Sequence, residues 1–319
     1  MKKTITSLFA TLAMSLAIVP TAATSATLST TGYTQTKYPI VLVHGWMGWD
    51  NIAGVDHFYR VASELRANGA KVYTVAISQN NSTEYRGEQL LTQVKQILAI
   101  SGASKVNLIG HSHGSPTSRY VAGVRPDLVA SVTSVGGVNK GAIVPDILSG
   151  AVPTDSITFK ALTTAVNGIG KAIAVLSGHP ELQQNSAATM VSLSSAGAKA
   201  FNVKFPQGVP TTSCGEGAYS ATTNGNKVNY YSWSGAKAVT NVLDISDPLF
   251  AVTTLVYKGA KNDGLVGACD SRLGRVIRDD YAMNHLDEVN QFVGLVNLFE
   301  TNPVTIFRQH ANRLKTAGL

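Results

Sequence analysis

Short β-branched runs alternate with helical segments in the first half of the chain, and this alternation restricts the fold more than any other feature. Buried strands are predicted over residues 38–44, 71–77, 105–109 and 128–135, where Val, Ile and Leu predominate. Helices are predicted between them, over residues 56–68, 82–101 and 114–122. Parallel strands joined by right-handed helical crossovers form a sheet that is covered on both faces. The sequence therefore predicts an α/β fold with a mostly parallel central sheet.

The pattern changes over residues 141–195, where Ala, Val, Leu, Ile, Gly and Ser predominate. We predict two or three helices inserted over the sheet as a cap or lid; ordinary core helices are the alternative. Beyond this segment we predict strands over 228–233, 251–257 and 275–278, and a helix over 286–298. No internal repeat is visible, so residues 27–319 are interpreted as one domain with a cap.

Composition and the N-terminus exclude several classes of protein. A chain of 319 residues with 44% hydrophobic residues is too apolar to be disordered. It has no apolar run after the N-terminus that is long enough to span a membrane, which excludes a multispan membrane protein. Residues 1–26 resemble a secretory signal peptide cleaved between residues 22 and 26, with an uncleaved anchor as the alternative. Removing Lys2 and Lys3 lowers the net charge from +7 to +5. That charge is dispersed, which argues against nucleic-acid binding.

The sequence Gly110-His111-Ser112-His113-Gly114 lies between a predicted strand and a predicted helix. In this context G-x-S-x-G is typical of the nucleophile elbow of α/β-hydrolases, where the glycines allow neighbouring backbones to approach a strained, exposed serine. Ser112 is therefore the predicted nucleophile. A serine hydroxyl needs a base, and the base needs a carboxylate that orients it.

In this fold the catalytic groups occur in the order serine, acid, histidine. His285 follows a predicted strand and a loop, where the base is expected, whereas His179 leaves few acids before it. His310 lies in a polar, basic C-terminal segment and is predicted to be on the surface. The candidate acids are Asp244, Asp247, Asp263, Asp270, Asp279 and Asp280. We select Asp263, which lies in an Asn-Asp-Gly turn after the predicted strand 251–257, and the resemblance described below supports it.

Two further features complete the site predicted from the residues. The backbone N–H groups of His113 and Trp46 are the expected oxyanion-hole donors, Trp46 lying in the His44-Gly45-Trp46 loop after the first strand. Cys214 and Cys269 are the two cysteines of the chain. An even count in an oxidising compartment favours one disulfide over two free thiols.

Together these residues resemble the secreted bacterial triacylglycerol lipases of the Pseudomonas and Burkholderia type. The similar stretches extend over nearly the whole chain after the N-terminal segment. They are 38–42, His44-Gly45 with Asp50-Asn51, 54–56, 86–88, 107–114, 231–235, 262–266 and 284–291. The combined pattern is far more specific than G-x-S-x-G alone.

The resemblance implies several properties of the chain. It implies a triad of Ser112, Asp263 and His285, a Cys214–Cys269 disulfide, a helical lid and one structural calcium ion. The calcium ligands would be the carboxylates of Asp244 and Asp287 and the main-chain carbonyls of Gln291 and Leu295. Asp247 is an alternative to Asp244. Oxygen ligands suit Ca²⁺. It also implies a lipase-specific foldase in the periplasm and export of the folded protein.

The expected function is that of an extracellular lipase hydrolysing long-chain acylglycerols through an acyl-enzyme at a lipid–water interface. Three departures from the family pattern put chain-length preference in doubt. Trp46 replaces Met or Leu, Ser115 replaces a second glycine after the elbow, and Gly137-Val138-Asn139 replaces Ala-Pro-His. The alternatives are another secreted serine hydrolase, such as a polyester depolymerase or a peptidase, and a non-enzymatic envelope-binding protein. The last would be expected to lack a triad member.

Overall fold

The computed structural model describes residues 32–151, 157–241, 243–244 and 246–319. The predicted signal peptide, residues 1–26, lies outside the described residues. Among the helices of the described ranges, none is long and apolar enough to cross a membrane.

In the described ranges, seven strands form one central sheet, and two short ones form a separate hairpin. The strands are β1 (Ile40–Val43), β2 (Asn51–Ile52), β3 (Val55–Asp56), β4 (Val72–Thr74), β5 (Val106–His111), β6 (Val129–Val135), β7 (Ser220–Thr223), β8 (Asn226–Gly235) and β9 (Arg275–Tyr281). Their order in the sheet is β4-β1-β5-β6-β8, with β7 and β9 both paired to β8. Within this sheet all described pairs are parallel except the antiparallel β7–β8 pair. The mostly parallel sheet confirms the predicted fold class.

Helices cover both faces of the sheet. They are α1 (Val61–Ala67), α2 (Thr83–Ser101), α3 (Gly114–Val124), α4 (Ile143–Ala151), α5 (Ile157–Leu176), α6 (Ser186–Leu193), α7 (Ser195–Lys204), α8 (Asp247–Thr253), α9 (Ala268–Ser271) and α10 (Pro303–Thr316). One apolar core joins the sheet to α1 and α10, and a second joins its other face to α2 and α3. Helix α2 begins where the Ser82 side chain accepts a hydrogen bond from the Tyr85 N–H.

The structure corrects three predictions. Residues 251–257, predicted as a strand, belong to α8 and to a 3₁₀ turn at Thr254–Tyr257. The helix predicted over 286–298 is a 3₁₀ turn at Asp287–Val289 followed by loop, because Asn290 and Val293 have positive φ angles of 59° and 47°. His310 is fully buried, because it lies on the face of α10 that packs against the sheet.

Cys214 and Cys269 form a disulfide across 55 residues of sequence. The bond joins the loop before β7 to α9, and α9 directly follows the loop that carries Asp263. Closing a loop of this length removes entropy from the unfolded chain, about 4 kcal/mol on the chain-entropy model. The bond therefore stabilises the chain close to a predicted catalytic residue.

Candidate active site

Ser112 lies in the sharp turn between β5 and α3, and its φ angle is +54°. A non-glycine residue rarely adopts this conformation, which is costly unless the surroundings impose it. The close packing of the turn imposes it here. A Cβ atom on Gly110 would lie 2.2 Å from the Gly114 carbonyl oxygen, and one on Gly114 would lie 2.2 Å from the Val43 carbonyl oxygen. The turn thus has the geometry of a nucleophile elbow.

Asp263 and His285 are in direct contact, and both side chains are buried. His285 Nδ1–H donates to Asp263 Oδ2 at 2.7 Å, and the His285 main-chain N–H donates to the Asp263 carbonyl at 2.9 Å. The other carboxylate oxygen, Oδ1, accepts from the N–H groups of Leu265 and Val266 at 2.8 and 2.7 Å. These bonds fix the imidazole and leave Nε2 without a proton in the neutral ring. The pair thus has the arrangement that a catalytic base and its orienting carboxylate require.

Two more imidazoles continue from His285 into the core. His111 Nε2–H donates to the His285 carbonyl at 2.9 Å, so His111 Nδ1 is left as an acceptor in the neutral ring. His57 Nε2–H occupies it at 3.1 Å. Burial lowers the pKa of both rings, that of His57 to about 3. Both are therefore neutral supports of the segment that carries His285.

The buried carboxyl of Glu288 lies beside these rings. Ligand atoms of His111, His285 and Glu288 lie within 4.8 Å of one another, a spacing that could hold a metal ion. However, both nitrogens of His111 and Nδ1 of His285 already make hydrogen bonds. Burial, and then the neighbouring Asp263 carboxylate, raise the pKa of Glu288 well above its usual range. A neutral carboxyl in a hydrogen-bonded cluster therefore fits this group better than a metal ligand.

The loop after β1 lies directly against the nucleophile. A Cβ atom on Gly45 would lie 2.7 Å from Ser112 Cβ, so only glycine fits there. Trp46 follows Gly45 and lines the same cavity as Ser112. Neither the Trp46 N–H nor the His113 N–H donates a main-chain hydrogen bond to another residue in the described ranges. Both predicted oxyanion donors are thus on the turns that flank Ser112, with their N–H groups available.

Ser112 lines an apolar cavity. Its walls come from the loop after β1, the segment after β6, α4, α6 and the loop after Asp263. The lining residues are Trp46, Ser112, Val138, Ala142, Val144, Pro145, Met190, Leu193, Leu265 and Val266. A cavity of this character binds hydrocarbon rather than charged or strongly polar groups.

Comparison with known proteins agrees with this geometry. A model of the α/β hydrolase fold family matches residues 38–271. The chain belongs to the α/β-hydrolase family. It is 54% identical to a triacylglycerol lipase of Vibrio cholerae over 92% of both chains. It is 41% identical to a triacylglycerol lipase of Pseudomonas fragi over 89% of this chain and 98% of the relative, and 37% identical to one of Burkholderia plantarii over 93% and 91%.

Solved structures show the same fold at low sequence identity. The mature Bacillus licheniformis lipase superimposes with a TM-score of 0.56 and 19% identity over 80% of this chain and 88% of that one. The Staphylococcus hyicus lipase does so with a TM-score of 0.58 and 15% identity over 88% and 97%. At these identities the likeness concerns the fold alone.

In this α/β hydrolase, a buried arginine holds the loop that carries Trp46. Arg86 Nη2 donates to the His44 carbonyl at 2.7 Å and to the Gly45 carbonyl at 3.3 Å, and Nη1 donates to the Ser78 carbonyl. The Gly45 carbonyl and the Trp46 N–H belong to one peptide unit, so Arg86 fixes the direction of that N–H. Sequence reasoning gave Arg86 no role. The sequence did contain a signal for its burial, because Arg86 lies four residues before Leu90 and eight before Val94, on the apolar face of α2.

Arg86→Lys is expected to lower kcat/KM by about 10²-fold, because the compact ammonium cannot span the carbonyls that the two guanidinium nitrogens reach, and losing one oxyanion donor costs about 3 kcal/mol. The measurement is hydrolysis of a soluble short-chain ester, with thermal melting as a check on folding. Arg66→Lys is the matched control, since Arg66 donates to one carbonyl, that of Val72. Equal activity of the two variants would show that Arg86 does not position the loop.

Three carboxylates form a buried cluster next to His285, and two of them, Asp244 and Asp287, are predicted calcium ligands. The third is Asp247. Asn284 Nδ2 donates to Asp244 Oδ2 at 3.1 Å and to Asp247 Oδ1 at 2.9 Å, while the Asn284 N–H donates to Asp287 Oδ2 at 3.3 Å. In the described ranges none of the three pairs with Lys or Arg.

The electrostatics of this cluster suit a cation. Burial, with the repulsion of Asp244 and Asp247 added, raises the pKa of Asp287 to about 7. Buried, uncompensated carboxylates with further oxygen donors are the donor set that Ca²⁺ takes. The cluster thus fits the predicted ion, and both Asp244 and Asp247 belong to it.

Proposed function

We propose that this chain is an extracellular triacylglycerol lipase that hydrolyses long-chain acylglycerol esters at a lipid–water interface, with Ser112, His285 and Asp263 as its catalytic groups. The observation that carries the proposal is the strained Ser112 at the mouth of an apolar cavity, in the fold where the buried His285–Asp263 pair would be its base and acid. The names of the relatives at 37–54% identity support the substrate class.

Acylation would begin with proton transfer from the Ser112 hydroxyl to Nε2 of His285. Ser112 Oγ bonds to the ester carbonyl carbon, and the negative carbonyl oxygen accepts from the N–H groups of Trp46 and His113. The bond between this carbon and the glycerol oxygen then breaks. That oxygen takes the proton from His285 and leaves as the alcohol, while the Asp263 carboxylate stabilises the imidazolium.

Deacylation repeats these steps with water as the nucleophile. His285 accepts a proton from the water, and the resulting hydroxide bonds to the acyl carbon. The bond to Ser112 Oγ breaks, and Oγ recovers its proton from His285. The products are a fatty acid and the free enzyme.

The helices of residues 141–195 would act as the lid. Ala142, just before α4, and Val144 and Pro145 in its first turn line the same cavity as Ser112. Moving them would expose apolar surface, which costs free energy in water and is regained at a lipid surface. The rate is therefore expected to rise in a step where the substrate exceeds its solubility. A smooth rise through that limit would contradict the lid.

The proposal extends to the route by which the protein reaches its substrate. Secretion by way of a cleaved segment 1–26 is proposed from the sequence and from the relatives. A lipase-specific foldase in the periplasm is proposed from the family resemblance alone. Refolding of the denatured chain to full activity without any partner would contradict the foldase.

The test of the proposed function compares hydrolysis of emulsified triolein, a soluble short-chain ester and a peptide by the purified protein. Triolein is expected to be hydrolysed fastest and the peptide not at all. Activity on the short ester without triolein hydrolysis would make the protein a carboxylesterase, and peptide cleavage would make it a peptidase. No activity on any of them would overturn the assignment of a hydrolase.

We also propose one structural Ca²⁺ at the carboxylate cluster, held by Asp244 and Asp287 with the carbonyls of Gln291 and Leu295. Asp247 belongs to the same cluster and is the alternative ligand. The ion would neutralise these buried charges. It would also brace Asn284 and Asp287, the neighbours of His285 on the same loop. Its role would be to hold that loop in place rather than to take part in the reaction.

Chelation of calcium is expected to lower the melting temperature, because an ion at 1,000 times its Kd stabilises the fold by about 4 kcal/mol. Asp287→Asn should melt lower than the wild type and should no longer respond to a chelator. Asp280→Asn is the matched control, since Asp280 is half-exposed and paired with Arg278. Melting that is indifferent to chelator in the wild type would rule out a structural calcium ion.

A further inference from the structure

Asn139 lies fully buried on the segment after β6, and every hydrogen-bonding group of its side chain is used. Its Nδ2 donates to Ser134 Oγ and to the Ser271 carbonyl, both at 2.8 Å. Its Oδ1 accepts from Ser115 Oγ at 2.9 Å. One side chain therefore joins α3, β6 and α9, the elements that follow or flank the predicted nucleophile and acid.

The main chain of the same segment contacts the nucleophile. The Val138 N–H donates to the Ser112 carbonyl at 3.3 Å, and Val138 also lines the cavity. The Asn139 carbonyl accepts from Asn202 Nδ2 of α7 at 2.8 Å. A shift of Asn139 would thus be transmitted to the Ser112 peptide unit through the adjoining residue.

Ser115 and Gly137 fit one another within this segment. A Cβ atom on Gly137 would lie 2.5 Å from Ser115 Cβ and 2.1 Å from Ser134 Oγ. The Ser134 hydroxyl accepts from Asn139 Nδ2, so displacing it would break that bond, and Ser115 Cβ is fixed to the α3 backbone. Gly137 is therefore required because the side chains of Ser115 and Ser134 both lie against it. These are also positions where the sequence departs from the pattern of the family it resembles.

We propose that Asn139 is a positioning residue for both Ser112 and the Asp263 segment, and that Ser115, Gly137 and Asn139 form one fitted unit. The α9 end of the contact matters because α9 begins directly after the loop that carries Asp263 and also carries Cys269. The inference rests on the proposed function, since it assigns the purpose of the unit to the reaction of Ser112.

The first experiment is a double-mutant cycle on hydrolysis of p-nitrophenyl butyrate. Gly137→Ala is expected to lower kcat by about 100-fold or more, and Ser115→Gly by less than about 5-fold. The double variant should recover to within about 10-fold of the wild type, because removing the Ser115 side chain relieves its contact with the new methyl group and leaves only that with Ser134 Oγ. Gly123→Ala is the matched control. Gly123 lies on the same helix as Ser115, and a Cβ atom there would lie 2.3 Å from the Phe205 ring. Ser115→Gly should not rescue this variant.

The second experiment separates positioning from simple stabilisation. Asn139→Asp keeps the size and the acceptor but loses the donor to the Ser271 carbonyl. We expect kcat per active site, counted by titration with a phosphonate that labels Ser112, to fall by about 10-fold or more, with KM within about 2-fold. A purely structural role would lower the melting temperature and the yield while leaving kcat per titrated site unchanged.

The outcomes are distinct. A double variant as inactive as Gly137→Ala alone, or an Asn139→Asp protein with wild-type kcat per titrated site, would overturn this inference and leave the proposed function standing. A wild-type protein that the phosphonate does not label would overturn both. Recovery in the double variant together with the kcat loss in Asn139→Asp would support it.

Discussion

Ser112→Ala is expected to lower kcat for ester hydrolysis by at least about 10⁴-fold while the protein stays folded. The loss is this large because His285, Asp263 and the oxyanion donors act only through an oxygen nucleophile at this position. A factor of 10⁴ corresponds to about 5.4 kcal/mol of transition-state stabilisation. The residual rate would come from binding and from the N–H groups of Trp46 and His113. The measurement is single-substrate kinetics on triolein emulsion and on a soluble ester.

Two comparisons make this result specific. Ser118→Ala removes another buried serine hydroxyl from α3, one that donates to the Gly114 carbonyl, and should keep most of the activity. Adding His285→Ala to Ser112→Ala should cost little further rate, because the groups of a triad act as a unit. Retention of more than about 1% of the activity by Ser112→Ala would mean that another group is the nucleophile.

The backbone at Ser112 gives a separate expectation for stability. At a φ of +54° a side chain is strained, and glycine is not. Ser112→Gly should therefore be as inactive as Ser112→Ala but at least as stable, with the greater flexibility of unfolded glycine partly offsetting the relief of strain.

Features with a local signature could be predicted from the sequence. The strand β1 is a continuous apolar run, and β5 and β6 are rich in Val, Leu and Ile, since both faces of a parallel sheet are buried. The elbow was visible because its two glycines and the serine are contiguous. Asp263 was correctly placed in a tight turn, although the strand predicted before it is absent. Its contact with His285 followed from the order of catalytic groups in the fold and from the family resemblance.

The errors have physical causes that can be named. Residues 251–257 are rich in β-branched residues, and β propensity is weak evidence beside the helix start marked by Asp247 and Pro248. His310 was judged from the overall polarity of its helix. Its spacing with Phe307 and Leu314 places it on the apolar face, where Thr133 Oγ1 pairs with its Nε2 at 2.8 Å.

The roles of Arg86, His57 and Glu288 depend on contacts between distant segments. Arg86 bonds carbonyls some 41 and 42 residues away in sequence. His57 pairs with His111 across 54 residues. Gly136, with its φ of +49°, makes the room for the Glu288 carboxyl. No local pattern encodes such contacts, so a single sequence could not reveal them.

The buried histidines lead to the second large effect, a steep loss of stability in mild acid. Burial lowers the pKa of five imidazoles, listed here: His44, His57, His111, His113 and His310. Hydrogen bonds support the neutral state independently. The second nitrogen of His111 accepts from His57, and that of His310 accepts from Arg313. Protonating either nitrogen would break a bond inside the core.

The sign of the effect follows from the protons bound in each state. Below a pH of about 6.5 the unfolded chain protonates these histidines and the folded chain does not, so the free energy of unfolding falls as the pH falls. Each group contributes about 1.4 kcal/mol per pH unit. The raised pKa values of Glu288, Asp287 and Asp270 act in the opposite direction, because those carboxyls take up protons in the folded state first.

Five histidines against at most three carboxyls leave at least two more protons on the unfolded chain, which corresponds to about 3 kcal/mol per pH unit or more. For a protein with a total stability of about 5–15 kcal/mol this is a large fraction. We expect the melting temperature to fall by about 10 °C between pH 6.5 and pH 5.5. The measurement is a series of thermal melts from pH 8 to pH 5 with calcium present, which keeps Asp287 ionised.

His57→Phe tests the cause, because His57 already lies among aromatic rings, at 5.6 Å from Trp49 and 5.2 Å from Phe58. This variant should lose the contribution of one proton, so its melting temperature should fall less steeply with pH than that of the wild type. A wild-type melting temperature that stayed constant between pH 7 and pH 5.5 would contradict the argument. The five imidazoles would then have to take up protons inside the folded chain, and the hydrogen bonds that fix their tautomers, including the one that supports the His285 carbonyl, would have to rearrange without cost.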